Sequence, residues 1–253
     1  MFELRKYPQH LVNKSMELQE YDLMYRLENT HWWFLAKRKF IATVFPKINK
    51  AKILDIGAGT GGTTKFLKTY GEVVGLEANP LARSLAQKRG LKIVSGTAEK
   101  LPFIKETFDV VTIFDVLYHQ HIESDIRVLK EASRVLKPQG YLVVTDCALP
   151  FLKSPHDEVM QARERYTKKE LMGKIEKAGF RVEKASYVFF LVFPLTLFKR
   201  LLDRLTKSHG SNVSPVPKIL NHLLLTICHL EACFLRIGTF PWGSSVILRA
   251  RKQ

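Results

Sequence analysis

The segment Asp55-Ile56-Gly57-Ala58-Gly59-Thr60-Gly61-Gly62 constrains the chain most. It follows Lys52–Ile56, an apolar run that reads as a short strand, and precedes Thr63–Thr69, which reads as a helix. Glycines at 57, 59 and 61 permit a tight turn and let backbone approach a ligand without an intervening Cβ. Glu77 closes a second β-rich run, Glu72–Glu77, 22 positions after Asp55. An acid at that strand end can accept hydrogen bonds from both hydroxyls of a ribose at the switch point of a parallel sheet. A glycine-rich turn alone says less, because a purely structural turn has the same composition.

The alternation continues. Pro80 opens a helix that runs to Arg89 and stops at Gly90, followed by a third short strand, Lys92–Val94. Asp109–Phe114 reads as a fourth strand, Ile122–Leu136 as a helix, and Tyr141–Thr145 as a fifth strand after the turn Lys137-Pro138-Gln139-Gly140. A helix near Lys168–Ala178, a long strand-like run Phe180–Phe193 and a last strand Ser244–Ala250 complete the pattern. Strands alternating with helices predict an α/β fold, a doubly wound sheet covered on both faces. The expected organisation is a helical N-terminal extension over 1–50 and a core over 51–193. A helical, apolar and basic insert over 194–243 and a final core strand over 244–253 follow.

The residues also narrow the ligand. A carboxylate at position 55 repels a phosphate and attracts an ammonium group, and the turn is not the GxxxxGK[ST] of nucleotide triphosphate sites. An adenosine bearing an amino acid and no phosphate, S-adenosylmethionine, fits best; a nicotinamide dinucleotide is the rival. The stretches ILDIGAGTGG, VVGLEANP, GTAEKLPF, FDVVTIFDVLYH and EASRVLKPQGYLVVTD resemble, in order, the successive motifs of the class I S-adenosylmethionine-dependent methyltransferases. The likeness covers residues 51–146 and continues more weakly through 168–186. It implies a Rossmann-like, seven-stranded sheet whose last strand runs antiparallel. By position, it implies that Asp55, Gly57, Ala58, Gly59 and Gly61 cradle the methionine part of the cofactor and that Glu77, beside Ala78, holds the ribose. Ala98 and Glu99 would flank the adenine, and Asp115 would lie near the amino-acid end. Thr97 stands where relatives often carry Asp, and its hydroxyl makes a weaker acceptor for the adenine amine.

Methyl transfer from a sulfonium is an in-line displacement that depends first on alignment. A general base is needed only where the acceptor must lose a proton. His119, just past the fourth strand, matches a histidine common in the family and is the first candidate to act as base or to orient the acceptor. Its plain alternative is to hold a loop. His31 heads the cluster His31-Trp32-Trp33-Phe34, whose rings either stabilise a sulfonium by cation–π contact or pack the N-terminal helix onto the sheet. Tyr166 is a third candidate, by position alone.

The chain carries 40 Lys and Arg against 24 Asp and Glu, a net charge of +16. Residues 187–253 hold 9 basic and 2 acidic residues among many leucines and phenylalanines. Nucleic-acid binders interleave positive charge with polar residues; this mixture suits an anionic membrane surface. Ile219–Arg236 reads as a helix with a wide apolar face, which either packs on the domain as a cap or forms a membrane-facing lid. The expected enzyme acts on a small or lipid-like acceptor, in the cytoplasm and peripheral to the membrane. One alternative is an RNA methyltransferase, favoured by the charge. Against it, Asp115-Val116-Leu117-Tyr118 stands where base-amine methylation uses an Asn/Asp-Pro-Pro-Tyr motif. A cofactor-binding protein without catalysis is the other. The three cysteines, Cys147, Cys228 and Cys233, lack metal-ligand spacing, so neither a metal site nor a disulfide framework is expected. The first ten residues, MFELRKYPQH, lack the apolar run of a secretory signal.

Overall fold

A computed structural model of the chain describes residues 20–153, 157, 161–206 and 215–253. Residues 1–19 of the expected extension and part of the expected insert, including Lys207, lie outside the described residues. The N-terminal elements are α1 (20–27) and α2 (Trp32–Val44). The core then runs β1 (Ala51–Ile56), α3 (Gly62–Leu67), β2 (Gly71–Leu76), α4 (Pro80–Lys88), β3 (Ile93–Val94), β4 (Phe108–Phe114), α5 (Asp125–Val135) and β5 (Leu136–Cys147). It closes with α6 (Lys168–Lys177), β6 (Phe180–Val188), α7 (Phe193–Thr206), α8 (Lys218–Ile237) and β7 (Ser245–Lys252). The seven strands form one sheet in the order β3-β2-β1-β4-β5-β7-β6. β7 pairs antiparallel with both β5 and β6, while β1 to β5 are mutually parallel, so β6 ends at the same edge as they do. This is the α/β, doubly wound sheet with an antiparallel last strand that the resemblance implies.

The central strands read as continuous apolar runs because helices cover the sheet on both faces. Ile53, Val110, Val143 and Ile247 point into a layer shared with α2 and α8. Their neighbours Leu54, Val111, Leu142 and Leu248 point into the opposite layer, against α5 and α6. Local chemistry fixes the helix starts. Asn79 accepts hydrogen bonds from the N–H groups of Leu81 and Ala82 ahead of α4, with Pro80 in its first turn. Thr167 and Glu170 form a reciprocal capping box at α6.

Two expectations need correction. The expected turn Lys137-Pro138-Gln139-Gly140 is part of β5, which starts at Leu136. The Phe180–Phe193 run is a strand only to Val188: Phe189 adopts φ +60°, in the left-handed region, and α7 begins at Phe193. The wide apolar face of α8 is divided between core and surface. Leu224, Cys228, Ala232 and Leu235 are buried, whereas Ile219, Leu223, Leu230, Phe234 and Ile237 face outward.

Candidate active site

The carboxyl edge of the sheet gathers four charged side chains from distant parts of the chain. Asp55 ends β1, Asp115 follows β4 and Asp146 lies near the end of β5. Lys37 reaches over from α2 and forms an ion pair with Asp115. Asp55 is 2% exposed and accepts hydrogen bonds from the hydroxyls of Thr64 (2.6 Å) and Thr112 (2.7 Å). Burial pushes its carboxyl up to about 6, against the pull of these donors and of Lys37. Asp146, fully buried, accepts from the backbone N–H groups of Cys147 (2.7 Å) and Tyr118 (3.3 Å). Burial and the neighbouring Asp115 hold it well above the usual carboxylate range. Asp115 itself sits at φ +55°, a conformation sparsely populated by residues with a Cβ and often found at sites. Because burial disfavours charge on Asp146, the negative charge of the pocket rests on Asp55 and Asp115, set against one lysine.

The glycine turn lies beside this cluster. Gly57, Gly59 and Gly61 all have positive φ, at 74°, 57° and 89°. A Cβ on Gly57 would overlap Val116, whereas one on Gly59 would project into open space. That opening is where a ligand can meet bare backbone. Gly57 and Ala58 donate to the carbonyl of Leu76, tying the turn to the end of β2. Glu77 completes the arrangement: its two oxygens accept from the N–H groups of Gly59 and Asn79, each at 2.8 Å. A carboxylate has about four acceptor sites, so Glu77 keeps capacity for a further donor. Arg83 reaches back to the carbonyls of Glu77 and Ala78, at 3.1 and 3.3 Å.

The remaining candidates separate. Thr97 is exposed on the loop after β3 and Ala98 is buried beside it. The Glu99 carboxylate turns to α5, accepting from the backbone N–H groups of Ser124 (2.9 Å) and Glu123 (3.3 Å) and pairing with Arg127. His119 is half-buried four residues beyond Asp115 and stacks on His121, with ring centroids 4.9 Å apart. Burial, aided by His121, lowers its pKa to about 4, so its ring is neutral at physiological pH. His31 is 5% exposed and caps α2, its Nδ1 accepting from Trp33 N–H. Tyr166 is 1% exposed. Its hydroxyl donates to the Leu117 carbonyl at 2.9 Å, within reach of Asp125 and Arg163. Both side chains are engaged in hydrogen bonds within the fold. The aromatic rings divide as well. Trp33 stacks on Phe189 at the end of β6, and its one cation–π partner among the described residues is Lys37.

A family model for a methyltransferase domain matches residues 54–144. The chain is 31% identical over 159 residues to a demethylmenaquinone methyltransferase of Thermotoga maritima, a match covering 59% of this chain and 65% of that protein. It is also 31% identical over 150 residues to an uncharacterised protein of Methanocaldococcus jannaschii, covering 56% of this chain and 71% of the relative. The chain belongs to the class I S-adenosylmethionine-dependent methyltransferases. Its fold is that of a solved S-adenosylmethionine-dependent methyltransferase from Thermotoga maritima, described as a possible histamine N-methyltransferase. That match has a TM-score of 0.62 at 23% identity, over 97% of this chain and all of that one.

The cofactor of this methyltransferase class, S-adenosylmethionine, fits what stands at the strand ends. A sulfonium and an ammonium suit the acidic cluster, a ribose suits Glu77, and the open Cβ direction of Gly59 leaves room for the methionine chain. Sequence reasoning did not single out two residues of this cluster, Lys37 and Asp146. Lys37 sits in a helix that precedes the motif-bearing region, and Asp146 looked like the ordinary end of a strand. A signal for Lys37 existed in its place one helical turn after Trp33, on the same face of α2.

Proposed function

We propose that this methyltransferase transfers a methyl group to an apolar, lipid-like acceptor presented at a membrane surface. The observation that carries the cofactor half of the reading is the cluster Asp55, Asp115 and Asp146 around Lys37, one turn from three positive-φ glycines. Asp55, Gly57, Ala58, Gly59 and Gly61 receive the methionine part, with Asp115 beside its ammonium and Lys37 available to its carboxylate. Glu77 takes the ribose hydroxyls beside Ala78, and Thr97 and Ala98 border the adenine, with Glu99 holding that loop onto α5. The bound cofactor supplies an electrophilic methyl on a cationic sulfur. The chain's own residues align the acceptor with it and exclude water. His119, neutral at physiological pH, accepts the proton of an acceptor hydroxyl or amine, or orients it.

The acceptor half rests on chemistry at the same edge of the sheet. Phe190 follows β6, stacks with Phe240 at 4.9 Å and lies tilted against Trp242 at 5.2 Å, and Trp242 remains half-exposed. These rings offer an apolar approach, and the Thermotoga relative is named for an acceptor, demethylmenaquinone. The deciding experiment compares the thermal shift produced by S-adenosylmethionine, by its demethylated product and by NAD, followed by mass spectrometry of small molecules that co-purify. Stabilisation by the first two and not by NAD is expected. Stabilisation by NAD alone would overturn the reading.

A further inference from the structure

Helices α7 and α8 leave the sheet from the end of β6, at the carboxyl edge that holds the site. α8 is anchored from within. Its Glu231 is fully buried, and the carboxylate accepts from the N–H groups of Phe190 (2.9 Å) and Leu191 (3.0 Å) where β6 gives way to α7. Its Asn221 accepts from Trp32 N–H at 2.7 Å and donates to the Thr30 carbonyl at 3.0 Å, clamping the start of α2. Leu224, Cys228 and Leu235 fill the layer under α2. With this inner face committed, α8 still turns Ile219 (87% exposed), Leu223, Leu230, Phe234 and Ile237 (88% exposed) to the outside. At 100° per residue these five span one stripe, separate from the polar stripe of Lys218, His222, His229 and Arg236. α7 repeats the pattern with Phe198 (60% exposed) and Leu205 (82% exposed). An apolar surface of this extent is unusual on a chain that keeps to water.

We infer that the outward stripe of α8, with the exposed apolar residues of α7, seats this protein in the interfacial layer of an anionic bilayer. This deepens the proposed function, on which it rests for the acceptor's source, by naming the partner that presents the acceptor. Charge selects the occupant. Lys199, Lys218, Arg236 and Lys39 are exposed on these two helices and on the adjacent α2. Of the two acids between 187 and 253, Glu231 is buried and subtracts nothing from the surface potential. A second copy of a chain carrying +16 would meet like charge across such a face, whereas acidic lipid headgroups meet opposite charge. The stripe lies in the interface and does not cross it. Lys218–Ile237 is long and apolar enough to span by length and composition, at about 30 Å. But its inner face carries the Glu231 and Asn221 anchors and is packed on α2, so only one side is available to lipid.

The test uses the full chain in vesicle flotation, with phosphatidylcholine alone and with phosphatidylcholine containing about 30% phosphatidylserine, at low and high salt. A triple variant, Leu223→Ser, Phe234→Ser and Ile237→Ser, replaces three of the five stripe residues without touching the buried anchors. A double variant, Lys218→Glu and Arg236→Glu, reverses two charges. The expected result is flotation with the anionic vesicles only, weakened by salt, and reduced about tenfold or more by each variant. The shift of melting temperature caused by S-adenosylmethionine should be unchanged in both variants, which shows that they fold and keeps the two readings apart. Vesicle binding without any cofactor shift would sink the proposed chemistry and leave this surface standing. Absence of wild-type flotation, or flotation that the triple variant retains, would overturn the inference. So would sedimentation as a dimer that the triple variant dissociates, since a second copy would then be the occupant.

Discussion

The strand-end crevice and the outer side of α7 and α8 break the usual inside–outside rule in opposite senses. In the crevice, carboxylates are buried: Asp55 and Asp146 sit almost without solvent, with hydroxyls, backbone N–H groups and one lysine compensating for lost water. On the helices, hydrocarbon is exposed and the carboxylate of Glu231 is turned inward. A buried carboxylate persists only where hydrogen bonds and opposite charge meet its desolvation cost. An exposed apolar stripe persists only where something other than water covers it in use. Both departures lie toward the edge of the sheet where ligands bind in open α/β folds. The contrast teaches that charge is drawn inward at the strand ends and hydrocarbon is left outward on the helices, the two features on which the proposed function rests.

The largest expected effect tests the crevice. Glu77→Ala removes the acceptor for two ribose hydroxyls, at about 1.5 kcal/mol or more each for bonds to a charged group. The affinity for S-adenosylmethionine should fall about a hundredfold, as measured by calorimetry. An unchanged affinity would mean that the ribose lies elsewhere. His119→Asn should lower kcat by about a hundredfold while leaving cofactor affinity alone. With the native ring's pKa near 4, kcat should show no inflection at the ordinary histidine value. Equal loss of kcat and cofactor binding would instead assign His119 to the architecture of the loop.

A pH titration sharpens the same contrast. Asp55 has its pKa raised from 3.8 to about 6 in the folded chain, so the ionised form costs stability. As pH falls from above 6 towards 3.8, this group should stabilise the free chain. Over the same range, affinity for a cationic cofactor should weaken by up to about tenfold per pH unit, because protonation removes the charge the cofactor meets. Lys37 lowers the Asp55 pKa, so Lys37→Met should move the inflection upward. Binding that is flat between pH 5 and 7 would refute the role given to Asp55. The smallest effect concerns a residue outside the contrast. Tyr166→Phe should cost about 1 to 2 kcal/mol of stability, through the acceptor groups of Leu117 and Asp125 it abandons, with kcat intact. A large fall in kcat would return Tyr166 to the catalytic candidates.

Much of this was legible without coordinates because it is local. A strand ending in Asp55, glycines that tolerate positive φ and an acid at the end of the next strand are consequences of short stretches, and strands buried on both faces announce themselves as apolar runs. What could not be read is non-local. Lys37 lies 78 residues from Asp115 in sequence, and only the packing of α2 over the sheet edge brings them into contact. That the Glu99 carboxylate accepts from the N–H groups ahead of α5 is likewise visible only in the fold. The Ile219–Arg236 periodicity showed that an amphipathic helix exists. Which part of its apolar arc is inside was decided by the partners of Glu231 and Asn221, and by the layer available under α2. Periodicity fixes the face a helix offers; the neighbours that arrive from elsewhere in the chain fix how much of that face they can cover.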